Sequence, residues 1–397
     1  MKTKPAKIRV LHIITRLIRG GADENTIFTV QGLDKNKYIV DLLVGGQSEF
    51  SQIDLLDKSR FHVLPALVRQ VNPLKDLISF MHIFCLIKNN RYHIVHTHTA
   101  KAGILGRFAA LACGCPIIIH TLHGSTFHEN QSPVIRFIYK NFERIAAKFT
   151  HKITSVGDDL TRRYLNAHVG QADQYVTIRS GFDLARFFLL KQDVEKKGHA
   201  FRKKLGLDDA DIIIGSVSRL EPRKGHVYFL DAAAKVKKEN PLTKFLIAGD
   251  GASLEKLNKY CEEIGIQDSV IFLGHRDDIE NVISAMDVFV LSSLWEGLPR
   301  VLVQSVALGK PIVTFDVEGA KEVVSNGENG YILPLKDTDA LAEKILILAN
   351  NPSLAKQMGE KGRAKVTKDW DKQQMVKKID ELYASMTCKI KNSSNHS

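Results

Sequence analysis

Cysteine is scarce: Cys85, Cys113, Cys115, Cys261 and Cys388 make an odd set of five without a C-x-x-C pair. That argues against a disulfide-stapled secreted scaffold and suits a reducing compartment. Cys113-Gly-Cys115 reads as packing at a helix end rather than as a metal site. Long hydrophobic runs are missing too. The longest strongly apolar stretch, Leu77 to Ile87, is interrupted by His82 and is too short to span a bilayer. The opening MKTKPAKIRVLHII has an apolar run that reads as a strand, with no small-residue cleavage site after it, so no secretory signal is expected. Acidic residues are outnumbered, 44 Asp and Glu against 56 Lys and Arg, leaving a net charge of +12. Nucleic acid is the usual partner of so basic a chain. Yet there is no interleaving of cations with aromatics, no zinc-finger spacing and no RNP-like motif, so no nucleic acid is expected. Anionic phosphates, on small molecules or lipid headgroups, are the counter-charges left.

What is present is a soluble α/β chain of 397 residues with 44% hydrophobic and 25% charged residues. That length suits two domains better than one core. Short β-branched runs alternate with helical periods, which predicts parallel sheets covered by helices. In the first half the strand segments are IRVLHII, KYIVDLLV, FHVLP, YHIVHTH, PIIIHTLH, HKITSV and QYVTIRSG, with helical patterns at 22–33, 73–88, 101–113 and 133–149. A second series follows: DIIIGSVS, TKFLIAG, SVIFLG, DVFVLSS, PIVTFD and GYILP. The fold class is therefore α/β, two tandem Rossmann-like doubly wound domains. The expected domains are 1–185 and 210–370, joined by a polar, Lys-rich linker at 186–209. A last helix is expected near 371–386, with a disordered tail at 388–397.

Ligands in such sheets bind at the carboxyl ends of strands, so the loops there carry the chemistry. Gly20-Gly21, between the first strand and helix, lets backbone N–H groups approach an anion, though it is not the full G-x-G-x-x-G fingerprint. Arg219-Leu220-Glu221-Pro222-Arg223-Lys224-Gly225 follows a strand of the second domain and precedes a helix. Cations so placed make a diphosphate cradle that needs no metal, or merely a solvated basic loop. Gly249-Asp250-Gly251 closes the next strand. In Trp295-Glu296-Gly297-Leu298-Pro299-Arg300, Pro299 stands near a helix start, where its missing N–H costs nothing. The free N–H groups of that turn suit sugar hydroxyls or phosphate, and Gln304 lies further along the same helix. His96 and His98 share one face of a strand, but no carboxylate in their stretch completes a metal set, so no metal is expected. A satisfied structural role for these two is the alternative. His123 sits just past the strand PIIIHT as a lone polar group at the site's edge.

Taken in order, these motifs resemble the family-4 retaining glycosyltransferases of the GT-B fold, from about Ile8 to Tyr383. They are Gly20-Gly21, VHTHTAKAGILGR (95–107), TLHG (121–124), SGFD (180–183), RLEPRKG (219–225), AGDG (248–251), WEGLPRVLVQ (295–304) and ENGYILP (328–334). The resemblance implies two domains facing each other across a cleft, with the final helix crossing back to the N-terminal one. Arg219 and Lys224 would hold the donor diphosphate, and Gly20 and Gly21 would approach it from the other domain. Glu296 and the backbone of Gly297, Leu298, Pro299 and Arg300 would bind the transferred sugar, and His123 would lie beside it. Gly249, Gly251 and Arg276 complete the donor set. Position 304 would contact the ribose; the family usually has Glu there, and this chain has Gln304. The implied reaction is transfer of a hexose-type sugar with retention, from a nucleotide-diphosphate sugar, with UDP as the expected nucleotide. No cofactor is expected. The acceptor would be a glycan or polyprenyl-linked glycan of surface polysaccharide synthesis. A GT-B-fold sugar-nucleotide epimerase or hydrolase, or a non-catalytic sugar-nucleotide-binding subunit, are the alternatives. Arg136, Lys140, Arg144 and Lys148 recur every four residues on a helix whose Val134, Ile138, Phe142, Ile145 and Phe149 supply apolar surface. Together they suggest either an anionic membrane surface as partner or a core helix with a solvated basic face; the expected place is the cytoplasm, with the inner face of the cytoplasmic membrane as the peripheral site in the first case.

Overall fold

The computed structural model describes residues 7–17, 21–48, 60–127 and 131–394. The chain forms two compact units, one of Met1–Phe182 with Trp370–Ser397 and one of Asp183–Asp369. The first holds a seven-stranded sheet: β1 (Ile8–Ile14), β2 (Tyr38–Gly45), β3 (Phe61–Leu64), β4 (Ile94–His98), β5 (Ile117–Leu122), β6 (Lys152–Ser155) and β7 (Tyr175–Thr177). Its order is β3-β2-β1-β4-β5-β6-β7, and every pairing is parallel. The order reverses between β1 and β4, which makes the carboxyl ends of those strands the switch point.

Both faces of the sheet are covered, which is why the strands read as nearly unbroken apolar runs. On one face Leu11, Ile13, Leu43, Val95 and Ile118 pack with Ile83, Ile87, Ala102 and Ala109 of the helices Pro73–Asn90 and Ala100–Ala112. On the other, Val10, Ile94, Ile117 and Ile119 meet Met375, Ile379, Leu382, Tyr383 and Met386 of the final helix. Helix starts are written locally. Asn72 and Ser132 each accept a hydrogen bond from an N–H three residues on, with Pro at the next position.

The second unit holds β8 (Ile212–Val217), β9 (Thr243–Ala248), β10 (Val270–Phe272), β11 (Val288–Leu291), β12 (Ile312–Phe315) and β13 (Gly330–Leu333). They are again all parallel, in the order β10-β9-β8-β11-β12-β13, so this switch point lies between β8 and β11.

Four boundaries depart from the pattern-based expectation. The first unit ends at Phe182, not at 185, and the second ends at Asp369. The stretch 186–209 is not a linker: Lys191–Lys204 is a helix of the second unit. Val194, Gly198 and Phe201 form its buried seam, Gly198 lies against the backbone of Ser284, and Arg202 pairs with Asp287 at 2.7 Å. A narrow seam on a Lys-rich helix is easily mistaken for polar connection. The final helix runs from Lys372 to Ser394, so 388–394, expected to be disordered, are helical; 395–397 lie outside the described residues.

Candidate active site

The strongest constellation lies in the second unit, where the loops after β8 and β11 flank the switch point. Lys224 Nζ donates to Glu296 Oε1 at 2.5 Å, and both side chains are nearly buried. Arg223 stands 3.9 Å from the other Glu296 oxygen. Glu221 then gathers the remaining cations: Arg219 at 2.9 Å on one oxygen and Arg223 at 2.9 Å on the other. Burial pushes the Glu296 carboxyl up, but the charges of Lys224 and Arg223 outweigh it and leave it below the ordinary glutamate range. Glu221 is lowered likewise, burial being overcome by Arg223, Arg219 and Lys224. Backbone bonds hold the loops together: Leu294 N–H donates to Arg223 O at 2.9 Å, and Ser292 Oγ–H to Lys224 O at 3.1 Å. Gly225 makes this approach possible. Its φ is 64°, and a Cβ there would strike the Ser292 carbonyl oxygen.

Behind this loop, Gly249 and Gly251 pack against the carbonyls of Ser218 and Leu220. Leu220 N–H donates to Asp250 O at 2.7 Å and Ser253 N–H to Leu220 O at 3.0 Å. The AGDG turn thus braces the Arg219 loop, which is a structural reason for its glycines. Gly297, Leu298 and Pro299 lead into the helix Arg300–Ala307, with Pro299 as its cap and no side chain capping its first N–H groups. Gln304 lies half-buried on its second turn. Arg276 forks onto Asp278 at 2.8 and 2.7 Å, over the ring of Phe201. Arg223, absent from the sequence-derived set, is the residue that joins Glu221 to Glu296. Its place in RLEPRKG, one position before Lys224, is the signal that marks it.

In the first unit Gly21 opens the helix Gly21–Gly32 after β1, while Gly20 lies outside the described residues. His123 follows β5, and its Nε2 meets His98 Nδ1 at 3.0 Å. His96 and His98 do share a face, and parallel register places His12 of β1 beside His96. The three rings lie close enough to match a metal set in shape alone, but their nitrogens are already engaged. His12 Nδ1 meets His98 Nε2 at 2.9 Å, His96 Nδ1 meets Tyr383 Oη at 2.6 Å, and His96 Nε2 meets Thr121 Oγ1 at 2.6 Å. His12 and Tyr383 are not among the residues that sequence pattern singles out. His12 hides in an apolar strand, and Tyr383 reaches the array only because the last helix returns to this sheet.

The helix Pro133–Ala147 carries the basic residues expected to face a membrane. Val134, Ile135, Phe137, Ile138, Phe142 and Ile145 are exposed on it, flanked by half-buried Arg136 and Lys140 and by exposed Lys148. Two expectations need correction. Arg144 is turned to Ala167 O and Asn141 Oδ1, at 2.9 and 3.3 Å, so it is not free on a continuous stripe. Phe149 lies beyond the helix and packs on Phe108 and the core. The inner side is anchored by Glu143, fully buried with Arg107 at 2.7 Å. Among the described residues no helix is long and apolar enough to cross a membrane.

Residues 19–186 match the model of Glycosyltransferase Family 4, and residues 199–365 that of Glycosyl transferases group 1. A UDP-Gal:alpha-D-GlcNAc-diphosphoundecaprenol alpha-1,3-galactosyltransferase from Escherichia coli is 30% identical, across 97% of this chain and 99% of its own. From Campylobacter jejuni, N,N'-diacetylbacillosaminyl-diphospho-undecaprenol alpha-1,3-N-acetylgalactosaminyltransferase is 27% identical, over 79% of this chain and 82% of its own. Among solved structures, HepE from Anabaena in complex with UDP-glucose superposes with a TM-score of 0.78 at 23% identity, covering 95% of this chain and all of that one. With both halves matched and a relative aligned nearly end to end, this chain belongs to the family-4 glycosyltransferases of the GT-B fold.

Proposed function

We propose that this glycosyltransferase moves a hexose-type sugar from a UDP-sugar, with retention, to a polyprenyl-diphosphate-linked glycan during surface polysaccharide synthesis. The observation that carries this reading is the cation cluster at the second unit's switch point. Cleaving a sugar–diphosphate bond develops negative charge on the departing phosphate. Arg219, Arg223 and Lys224, already oriented by Glu221 and Glu296, would meet that charge without reorganisation, and so without a metal. The first N–H groups of the helix Arg300–Ala307, which no side chain caps, suit the sugar hydroxyls, and Gln304 the ribose. A double displacement would need a second carboxylate flanking the bond, whereas Glu221 is held between two arginines. The proposed route is front-face substitution, in which the departing phosphate oxygen takes the acceptor hydroxyl's proton. His123, from the first unit, is assigned to hydrogen-bond the transferred sugar. UDP as nucleotide and a diphosphate-linked acceptor are supported by the name of the Escherichia coli relative.

A lipid-linked acceptor also gives the Pro133–Ala147 helix a purpose. Its exposed Val134, Phe137, Ile138, Phe142 and Ile145, with Arg136, Lys140 and Lys148, suit an anionic leaflet at the cytoplasmic face. The test of the reaction is an assay with UDP-hexoses and GDP-mannose against a GlcNAc-diphosphopolyprenol acceptor, with and without EDTA. An α-linked product from one UDP-sugar, at the same rate in EDTA, is the expected result. Inversion at the anomeric carbon, or full loss in EDTA with rescue by manganese, would overturn the mechanism. Free UDP released without acceptor would favour a hydrolase.

A further inference from the structure

Four histidines of the first unit, His12, His96, His98 and His123, are joined with Tyr383 into one unbranched chain of hydrogen bonds. From His123 Nε2 it runs to His98 Nδ1 at 3.0 Å, and from His98 Nε2 to His12 Nδ1 at 2.9 Å. His12 Nε2 then meets the Tyr383 hydroxyl at 3.1 Å, and that hydroxyl meets His96 Nδ1 at 2.6 Å. His96 Nε2 continues to Thr121 Oγ1 at 2.6 Å, and Thr121 to Thr154 Oγ1 at 2.6 Å. His12, His96 and Tyr383 have no measurable exposure, and His98 has 2%. His120, on the opposite face of the sheet, bonds Thr97 instead and takes no part. The two ends of the chain, His123 and Thr154, line the same small cavity, together with Asn25 and Thr29.

Proton counting restricts this chain severely. A neutral imidazole has one N–H and one bare nitrogen, and a tyrosine has one hydroxyl proton. Burial keeps the rings neutral: it lowers His12 to about 3 and His123 to about 4, and holds His96 and His98 well below their ordinary value, with neighbouring histidines adding to the effect. Each link then needs one proton, and the Tyr383 hydroxyl must accept from one histidine and donate to the other. Only two arrangements satisfy every link. Either all four histidines carry their proton on Nε2, or all four carry it on Nδ1. In the first, His123 presents a bare Nδ1, an acceptor; in the second it presents an N–H, a donor.

We propose that Tyr383 is a positioning residue for His123: its single hydroxyl proton ties His12, His96, His98 and His123 to one common tautomer, so that His123 offers a donor or an acceptor to the sugar only in step with His96. The proposal rests on His123 serving the transferred sugar, as assigned above. The tyrosine acts from the last helix through two rings, touching no substrate. Removing its hydroxyl cuts the chain between His12 and His96, and each half then takes its polarity independently of the other.

The experiment has two arms. The first is nitrogen-15 spectroscopy of histidine-labelled, full-length protein, in which one-bond and two-bond couplings report the tautomer of each ring. The same tautomer in His12, His96, His98 and His123 is expected; a mixture among the four overturns the proposal and needs no variant to do so. The second arm compares Tyr383→Phe with Tyr38→Phe, which removes the hydrogen bond that the Tyr38 hydroxyl of β2 donates to Asp380 of the same last helix but leaves the histidine chain intact. Tyr383→Phe should mix the His123 tautomers and lower kcat about three- to tenfold, the worth of one net hydrogen bond, with donor KM within about twofold. Tyr38→Phe should change neither. An unchanged His123 tautomer in Tyr383→Phe, or equal kcat losses in the two variants, overturns the proposal. Absence of any transfer by the unaltered protein would instead strike at the transferase reading, and the tautomer result would stand apart from it.

Discussion

Lys224 and Glu296, 72 positions apart in the chain, form a 2.5 Å ion pair that ties the loop after β8 to the loop after β11. Because both side chains are nearly buried, neither partner can be removed without leaving a charge in a poorly solvated place. Breaking a buried pair costs about 3–5 kcal/mol; here Arg223, 3.9 Å from Glu296, offsets part of that. Lys224→Ala should therefore destabilise the second unit by roughly 1–3 kcal/mol and weaken donor binding about tenfold or more, through loss of the charge-assisted phosphate contact proposed for it. Glu296→Gln should unfold less readily than Lys224→Ala yet lose more in kcat, because the partner proposed for it is the reacting sugar. Denaturant unfolding and calorimetric donor titration on both variants decide the matter. Wild-type donor affinity in Lys224→Ala would remove this pair from the site.

Gln304 occupies the place where the family usually has glutamate. A carboxylate accepts from both ribose hydroxyls, whereas an amide offers one acceptor and one donor end. Charge-assisted bonds are about twice as strong as neutral ones, but an added carboxylate also repels a diphosphate. Gln304→Glu should keep activity and change donor KM by less than about tenfold, or roughly 1.4 kcal/mol. Gln304→Ala should cost more, by leaving ribose hydroxyls unpaired. Steady-state kinetics of the two on one donor is the measurement. Gln304→Ala with unchanged KM would take this helix position out of the nucleotide site.

All thirteen strand segments that periodicity predicts are strands of the structure, because most are buried on both faces and must be apolar throughout. The cations of RLEPRKG and the turn at Glu296 are legible for a related reason: Gly, Pro and charge gathered just past a strand's carboxyl end serve a ligand loop better than they serve a core. The helix Lys191–Lys204 is not legible, since its burial rests on only Val194, Gly198 and Phe201 among many lysines. Nor is the histidine chain. His12, His98 and Tyr383 meet through strand register and a returning helix, a relation across 371 positions that no local pattern encodes. Phe149 is misplaced when helical spacing is extended past Ala147, where the helix ends.

The same buried histidines predict how stability follows pH. In the folded protein His12, His96, His98 and His120 are held well below the ordinary histidine range, burial being the largest cause. Unfolding returns each to about 6.5. Below that value the unfolded chain binds protons that the folded chain refuses, so stability falls as pH is lowered through it, and is fully present above. Each such ring steepens the loss by up to about 1.4 kcal/mol per pH unit. Urea midpoints should drop clearly between about pH 7.5 and about pH 5, before carboxylates begin to titrate. His12→Gln should flatten the slope by about one proton; a midpoint that is level across this range would contradict the neutral chain.

The proposed membrane attachment separates into an apolar and an electrostatic part on the Pro133–Ala147 helix. Phe137 is 67% exposed and Phe142 44%, so replacing both with serine should leave the thermal midpoint nearly unchanged. Inserted in a leaflet, each phenylalanine contributes about 1.5–3 kcal/mol when fully buried. Even partial insertion makes the double variant bind vesicles at least about tenfold more weakly. Lys140→Glu should act differently: the contribution of one cation near an anionic surface is about 1 kcal/mol, is screened by salt, and vanishes on neutral lipid. Sedimentation with vesicles of phosphatidylglycerol and of phosphatidylcholine, at low and high salt, resolves the two terms. If the serine variant sediments with anionic vesicles as well as the unaltered protein does, the exposed side of this helix is not the membrane surface. If Lys140→Glu weakens binding equally on both lipids, the charge is acting through the fold rather than through the leaflet.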